Sequence, residues 1–467
     1  MAPVEMRAPT EPVLSTLNED GTRRWLEPRM TFGRFRARRK AVAYGLIAIF
    51  CGIPFVKIGG LPAILLDIPG RKFTFFGSTF LATDTLLLML LALSIVLGVF
   101  FLTALFGRVW CGWGCPQTVY MEFVFRPLGR WIEGGGKNVE RGSVRPSAGR
   151  RTLKFSAYLA VCGFLAHVFL GYFVGIEQLT GWMSGSPKDH WSSFMLVAFV
   201  TAAMMFDFAY FREQTCLVAC PYGRLQSVLL DRSSLIVGYD TGRGEPRGKG
   251  KRTAVLALGD CVDCNKCVAT CPTGIDIRDG LQMECIHCTQ CIDACDTVMD
   301  KMGKPRGLIR YSSKDELAGK GRHFLRPRTL IYPTLLLVVF TLFITALVTR
   351  SSTDLMVFRA RGAPYEKLAD GRTMNRLRVQ IVNRDTVSHT YQISIAPIEG
   401  LSLRGPTTTE PLDPGESTEL ALSLTFPKQA VDGSGEREIE IEVESDVGET
   451  VTGGFTLLAP RRSERTP

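Results

Sequence analysis

Hydrophobic runs long enough to cross a bilayer punctuate this chain and set its class. About 20 helical residues, each rising 1.5 Å, cover the ~30 Å apolar core of a membrane. Uncharged stretches of that length lie at 85–107, 155–176 and 329–349, bracketed by Asp84 and Arg108, Lys154 and Glu177, and Arg328 and Arg350. A fourth, 191–211, carries only Asp207 near its far end. The first, 41–56, is shorter and holds Pro54, but Lys57 can snorkel outward and let it span. Four or five such runs predict a polytopic helical membrane domain rather than a set of buried core helices. Beyond Arg376 the period shortens to two, in the runs 377–382, 391–395, 420–426, 439–443 and 454–458. Turn clusters such as Asp413-Pro414-Gly415 and Asp432-Gly433-Ser434-Gly435 separate them. This spacing predicts a β-sandwich of about a hundred residues.

Composition agrees and then sharpens the picture. The 467 residues are 46% hydrophobic with a mean hydropathy of +0.12, which excludes disorder and fibrous repeats. The net charge of +10 is unevenly placed. Eight Lys or Arg fall between Arg23 and Lys40 and nine between Arg108 and Lys154, against only Arg71 and Lys72 in 59–83 and Lys188 in 178–190. By the positive-inside rule the N-terminus and the second connection are cytoplasmic. Five spans then put 212–328 inside and everything after Arg350 outside. The basic charge is a topology signal, not a nucleic-acid one. The run 41–56 follows a long basic lead and has no small-residue cleavage site, so it reads as a retained anchor.

Of 14 cysteines, eight fall between Cys261 and Cys295, too tightly spaced for a disulfide framework. Cys261-Val-Asp-Cys264-Asn-Lys-Cys267-Val-Ala-Thr-Cys271-Pro272 is a C-x2-C-x2-C-x3-C-P run, and it recurs from Cys285 to Cys295 with Asp296 in place of proline. Such a run wraps three thiolates around one cubane and sends the fourth to the other. One [4Fe–4S] cluster is therefore expected on Cys261, Cys264, Cys267 and Cys295, the other on Cys285, Cys288, Cys291 and Cys271. Eight thiolates in two such runs argue against zinc. His287, between two ligands, could hydrogen-bond to cluster sulfur, but an outer or exposed position is the plainer expectation.

A second cysteine pattern follows the second and fourth spans: Cys111-Gly-Trp-Gly-Cys115-Pro116 and Cys216-Leu-Val-Ala-Cys220-Pro221. Each is introduced by an arginine (Arg108, Arg212) and followed by a tyrosine (Tyr120, Tyr222). If the helices continue, positions i and i+4 put both sulfurs of a pair on one face. Two such faces meeting at the membrane surface offer four soft ligands, suited to Cu(I) or to a further iron–sulfur centre. The alternative is two ordinary buried thiol pairs. Cys51 and Cys162 read as packing residues. Among the intramembrane His167, Met204, Met205 and Asp207, Asp207 is the functional suspect, because ionisable groups at that depth are costly, and the methionines read as lipid-facing or packing rather than as a copper site. His389, the sandwich's single histidine, is expected at the surface. The cysteine-free sandwich reads as a structural or partner-docking module.

The motifs Leu61-Pro-Ala-Ile-Leu-Leu-Asp67 with Arg71-Lys-Phe73, Trp110 through Tyr120, Arg212 through Arg224, the double ferredoxin run, and Met299 through Tyr311 resemble those of the cytochrome c oxidase accessory proteins called CcoG, FixG or RdxA. The likeness covers nearly the whole chain and is weakest over the first forty residues. It implies a bacterial inner-membrane protein that reduces Cu(II) to Cu(I) for assembly of the cbb-type oxidase. On that likeness the eight cysteines hold two [4Fe–4S] clusters, and Cys111, Cys115, Cys216 and Cys220 are the catalytic, copper-binding residues. Implied partners are the lipid bilayer, copper-handling proteins, cbb-type oxidase assembly factors and a cytoplasmic electron donor that the sequence does not identify; nucleic acid is not among them. Two other readings stay open: a quinol-linked ferredoxin subunit serving a periplasmic reductase, and a non-catalytic copper-holding scaffold. The expected architecture is a basic cytoplasmic N-terminus (1–40), a membrane domain with four spans (41–230, spans near 41–58, 85–107, 155–176 and 191–211), a cytoplasmic ferredoxin-like domain (231–328), a fifth span (329–349) and a periplasmic Ig-like β-sandwich (350–467).

Overall fold

The computed structural model describes residues 15–16, 18, 22–81, 84–134, 147–248, 258–321, 326–385 and 387–460. Lys137, Arg141 and Arg145 of the basic connection lie outside them. Five long helices carry the apolar runs: α1 (Arg34–Gly52), α2 (Thr85–Phe106), α3 (Ala148–Val174), α4 (Trp191–Phe206) and α5 (Pro327–Val348). Among the described residues, four helices are long and apolar enough to cross a membrane: α2, α3, α5, and α4 with its continuation to Phe211. Helix α1 carries only 41–52 of the first expected segment, whose remainder to 58 holds a 3-10 turn and a two-residue strand, and it is not among the four. Its opening turns hold Arg34, Arg36, Arg38, Arg39 and Lys40, and its apolar half ends in a short 3-10 turn at Pro54, where proline withholds an amide donor.

Contacts gather the chain into two units, Met1–Pro54 with Met89–Phe343, and Phe55–Leu88 with Ile344–Pro467. In the first, α3 and α4 pack around Phe125, Tyr158, Cys162 and Phe208, with Met204 and Met205 against them. Cys162 is completely buried, and Phe125 stacks on Phe208 with ring centroids 4.2 Å apart. The cysteine-rich segment is built on strands Ile236–Tyr239 and Ile309–Ser312, paired antiparallel, and on helix Gln290–Lys301. Val237, Ile275, Ile277, Ile292, Met299 and Leu308 form its core.

Helix α1 is capped by this segment. Gly33 offers no capping side chain, and the amides of Phe35 and Arg36 donate to the Asp293 carboxylate at 3.2 and 2.8 Å. A carboxylate facing a helix N-terminus satisfies orphan donors and meets the positive end of the helix dipole. A Cβ at Gly33 would lie 2.3 Å from Asp293 Cγ, so only glycine leaves room for this cap.

In the second unit, strands Thr353–Arg359, Thr373–Asn383, Ser417–Phe426 and Ser402–Arg404 form one antiparallel sheet, with Glu366–Lys367 added at one end. Tyr391–Ile395, Glu436–Ser445 and Thr450–Leu458 form the other. Alternate residues point inward, including Leu377, Val379 and Ile381 from one sheet and Ile439, Ile441 and Val443 from the other. All five expected runs are strands. The strand Thr353–Arg359 and a three-stranded meander at Ile64–Asp67, Lys72–Phe75 and Ser78–Leu81 were not anticipated. The meander groups with the sandwich, where the Lys72 ammonium donates to Gly415 O. Asp84 receives Arg350 at 2.6 Å and Arg384 at 2.8 Å.

His389 is not at the surface. Its residue is 5% exposed, and its ring bonds Asp446 through Nδ1 at 2.6 Å and Asp385 through Nε2 at 3.1 Å. Burial works against the charged ring, but the two carboxylates prevail and hold His389 above its ordinary value, while the His389 hydrogen bond holds Asp446 below the usual carboxylate range. A raised histidine contributes stability in full below its unfolded pKa and loses it as pH rises through the folded one; a depressed aspartate contributes above its unfolded pKa and loses it on acidification. The pair therefore supports the sandwich most between the ordinary carboxylate and imidazole values. Calorimetry should show the sandwich transition falling in temperature as pH rises through neutrality, and His389→Asn should flatten that dependence.

Candidate electron-transfer site

The two cysteine runs fold alike. In each, the residues flanking the second cysteine take left-handed backbone angles: Asp263 (φ 48°) and Asn265 (55°) around Cys264, His287 (53°) and Thr289 (63°) around Cys288. Such turns aim successive amides into one concavity, a common cradle for anionic iron–sulfur groups. Asp, Asn and His tolerate this region, while Thr289 is held there with its hydroxyl donating to Cys288 O at 2.6 Å. The runs part after their fourth cysteine. Pro272 follows Cys271 where a short helix has just ended, whereas Asp296 continues the helix from Gln290 to Lys301 and accepts the Gly307 amide at 3.0 Å.

Two cavities result. One is lined by Cys261, Cys264, Cys267 and Cys295, beside Tyr239 and Met299. The other is lined by Cys271, Cys285, Cys288 and Cys291, beside Val237 and Ile277, and also touches Cys267. Four thiols around an otherwise largely apolar hollow are the donor set a [4Fe–4S] cluster requires, one thiolate for each iron, and the residues fit the group. Cys264 is exposed, while Cys285 and Cys288 are buried, so the first cavity opens toward solvent and the second lies deeper. Burial pushes Cys267 up to about 11 and Cys285, Cys288 and Cys295 up to about 12, so iron must displace protons on loading.

The two C-x3-C-P pairs also meet. Each is broken rather than helical, which corrects the expectation of i, i+4 sulfurs on one face. The helix Val109–Trp113 stops at Gly114, and Cys115 is extended (φ −62°, ψ 126°) ahead of Pro116. Cys216 lies in the π turn Thr215–Ala219, and Cys220 is extended (φ −76°, ψ 109°) ahead of Pro221. A residue before proline is driven out of the helical region, so each second cysteine starts a new helix instead of ending the old one. Burial pushes Cys216 up to about 12, with Cys115, Cys111 and Cys220 adding to it. Burial likewise pushes Cys111 up to about 11, opposed by the Arg108 guanidinium. The Cys111 thiol donates to Gln226 Oε1 at 3.0 Å. Among the described residues no three Cys, His, Asp or Glu side chains are gathered closely enough to grip a single ion, so a metal at the four thiols would draw them inward.

Asp207 has a structural task here. It accepts from Gln117 Nε2 at 3.2 Å and from the Thr215 hydroxyl, one residue from each thiol loop, and so ties the two together. A buried network repeats the tie further out. Arg126 lies between Glu122 and Glu213, and Gln290 of the cluster segment donates to Glu122 at 2.8 Å.

The first thiol loop rests directly on the second cluster run. A Cβ at Gly112 would stand 2.6 Å from Ile286 O, 2.8 Å from His287 O and 2.9 Å from Cys288 Cα, all backbone atoms. Cys111 packs with Ile286 and Cys288, and Tyr222 closes over them. Trp113 Nε1 donates to the Tyr311 hydroxyl at 3.0 Å, which in turn donates to His287 O at 3.3 Å. Arg39, Gln226, Gly112 and Tyr311 were not singled out from the sequence. Arg39 sits within the basic run that reads as topology; the only local sign is Ala43, four residues on, which shares its buried face.

Comparison with known proteins agrees with this layout. Family models match as a 4Fe-4S dicluster domain over residues 211–314, a 4Fe-4S binding domain over 88–134 and an IG-like fold at the C-terminal of FixG over 343–460. Protein RdxB of Cereibacter sphaeroides is 34% identical over 420 residues, covering 84% of this chain and 86% of its own. Protein RdxA of the same organism is 34% identical over 431 residues, with coverage of 87% and 90%. The nitrogen fixation protein FixG of Rhizobium meliloti is 30% identical over 458 residues, covering 87% of each chain. The chain belongs to the FixG/RdxA/CcoG family. As a member of that family it is an iron–sulfur electron-transfer protein with apolar helices suited to a membrane and an Ig-like domain at its C-terminal end.

The Gly112 contact gives a direct test. Gly112→Ala forces backbone apart in a packed core, an overpacking cost of about 1–3 kcal/mol. The variant should unfold at a lower temperature than the parent by calorimetry, while Gly98→Ala in the open face of α2, where nothing lies within 4 Å, should not.

Proposed function

We propose that this chain reduces Cu(II) to Cu(I) at Cys111, Cys115, Cys216 and Cys220, in the service of assembling a cbb-type oxidase. The observation that carries the reading is the seat of the Cys111 loop on the Ile286–Cys288 backbone, which packs Cys111 against Cys288, a residue of one cluster cavity. Cys261, Cys264, Cys267 and Cys295 hold one [4Fe–4S] cluster in this reading, and Cys271, Cys285, Cys288 and Cys291 the other. Bound there, the clusters supply one-electron transfer. The four thiols receive copper as substrate, and Cu(II) takes one electron to become Cu(I), the state that thiolate prefers. Arg108 beside Cys111 favours the thiolate, and the Gln226 carbonyl takes the Cys111 proton into a hydrogen bond while the thiol is neutral. With α1 taken as a fifth crossing, the basic stretches at 23–40 and 108–154 support a cytoplasmic N-terminus and cluster segment with the sandwich in the periplasm.

One observation favours a second reading of the quartet. The 4Fe-4S binding domain match at 88–134 contains Cys111 and Cys115 and no cluster-run cysteine, so a third iron–sulfur centre would suit the four thiols. Iron analysis separates the two, since a third centre requires iron beyond two clusters' worth. Replacing Cys111, Cys115, Cys216 and Cys220 with serine should abolish Cu(II) reduction by prereduced protein while both cluster EPR signals persist. Copper reduction at the parent rate in that variant contradicts the assignment.

A further inference from the structure

Two buried hydrogen-bond donors approach the cavity of Cys271, Cys285, Cys288 and Cys291 with nothing in the described protein to receive them. His287 is 0% exposed and lines that cavity. Its Nδ1 accepts the Arg108 amide at 3.2 Å, which fixes the ring proton on Nε2, and Nε2 has no partner. Arg39 is 1% exposed; its Nε donates to Gly112 O at 2.9 Å, but Nη2 has no partner. Its partner Gly112 packs against the Cys288 backbone, and the Cys288 sulfur acts electrostatically on the guanidinium.

The other cavity is different. Arg278, beside it, spends its donors on Asp276, Asp263 and Asn265, and the Tyr239 hydroxyl donates to Glu245 at 3.0 Å. Among the described residues lining it, no buried side-chain donor lacks a partner. Buried polar groups are almost always paired, and an orphan in a native fold points to a group that completes it. Here one orphan lines, and the other lies beside, the cavity of Cys271, Cys285, Cys288 and Cys291, whose expected occupant offers sulfur acceptors.

We propose that His287 Nε2–H and the Arg39 guanidinium donate hydrogen bonds to the sulfurs of the [4Fe–4S] cluster held by Cys271, Cys285, Cys288 and Cys291, and raise its reduction potential. This rests on the ligand set assigned above. Donors and a nearby cation stabilise the reduced, more negative cluster. Deep burial acts in the opposite direction, and the two residues offset it at the cavity nearest the thiol quartet. Both also grip the thiol loop, Arg39 through Gly112 O and His287 through the Arg108 amide, so the tuning groups and the loop position one another.

The test is an EPR-monitored redox titration of the full-length protein and of His287→Leu, His287→Gln, Arg39→Met and Arg39→Lys. Removing either donor should lower the midpoint potential of one cluster and leave the other unmoved, and the Gln and Lys variants should recover part of the loss. Unchanged potentials, or both shifting together, overturn the proposal. A measurement on the unaltered chain covers variants that fail to take up iron: pulsed EPR of reduced protein carrying 15N-histidine should show histidine nitrogen coupled to one cluster. Absence of that coupling overturns the His287 bond. Cys285→Ser provides the control for the ligand set: two intact cluster signals there overturn the ligand reading itself, whereas one lost signal together with unmoved potentials in the donor variants overturns the hydrogen bonds.

Discussion

The close backbone approach at Gly112 is the contact on which the arrangement of this site depends. A side chain of any size at this position would enter the space held by Ile286, His287 and Cys288 backbone. Without it, the first thiol loop could not rest on the second cluster run, and the two chemistries would be separate sites. The surrounding bonds lock the contact from three sides. Arg39 reaches in from α1 to Gly112 O, Arg108 offers its amide to His287, and Trp113 reaches His287 O through Tyr311. The Arg39 and Arg108 bonds are buried, where leaving one partner unmet costs about 1–3 kcal/mol, and the Trp113–Tyr311 relay is half-buried.

The same economy recurs at larger scale. Asp293, on the helix that carries Cys291 and Cys295, caps α1 at the cost of requiring glycine at position 33. Asp207 and the Glu122–Arg126–Glu213 network hold the two thiol loops together and connect them to Gln290. The apolar helices and the cysteine-rich segment are therefore one packed unit. Buried charge pairs like these are poor sources of net stability but severe penalties when half-broken. Their contribution here is to fix which loop faces which cavity.

Much of this was legible in the pattern of residues. The apolar runs mark α2, α3, α4 and α5, and the period-two runs mark five strands of the sandwich, because in both cases burial on a periodic face dictates the element. The cysteine spacing grouped the thiols as the two cavities do, except that Cys267 touches both. The thiol pairs were readable as pairs, but not their geometry. Helical continuation ignored the proline after each second cysteine, and that proline breaks the helix. Arg39 was hidden because five basic residues in seven positions look like one topology signal, whatever a single member of them does. His389 was misplaced because its carboxylate partners, Asp385 and Asp446, converge only after the strands pair. The strand Thr353–Arg359 escaped because its apolar residues Leu355-Met356-Val357-Phe358 run together instead of alternating, so no period of two marks it.

In the proposed function, electrons reach copper through the buried cavity and the Cys111 loop rather than at the exposed edge near Cys264. Rapid-freeze EPR of prereduced full-length protein mixed anaerobically with one equivalent of Cu(II) tests it most directly. The signal of the cluster on Cys271, Cys285, Cys288 and Cys291 is expected to be lost first, in step with loss of the Cu(II) signal. Earlier loss of the signal from the Cys261, Cys264, Cys267 and Cys295 cluster would contradict it.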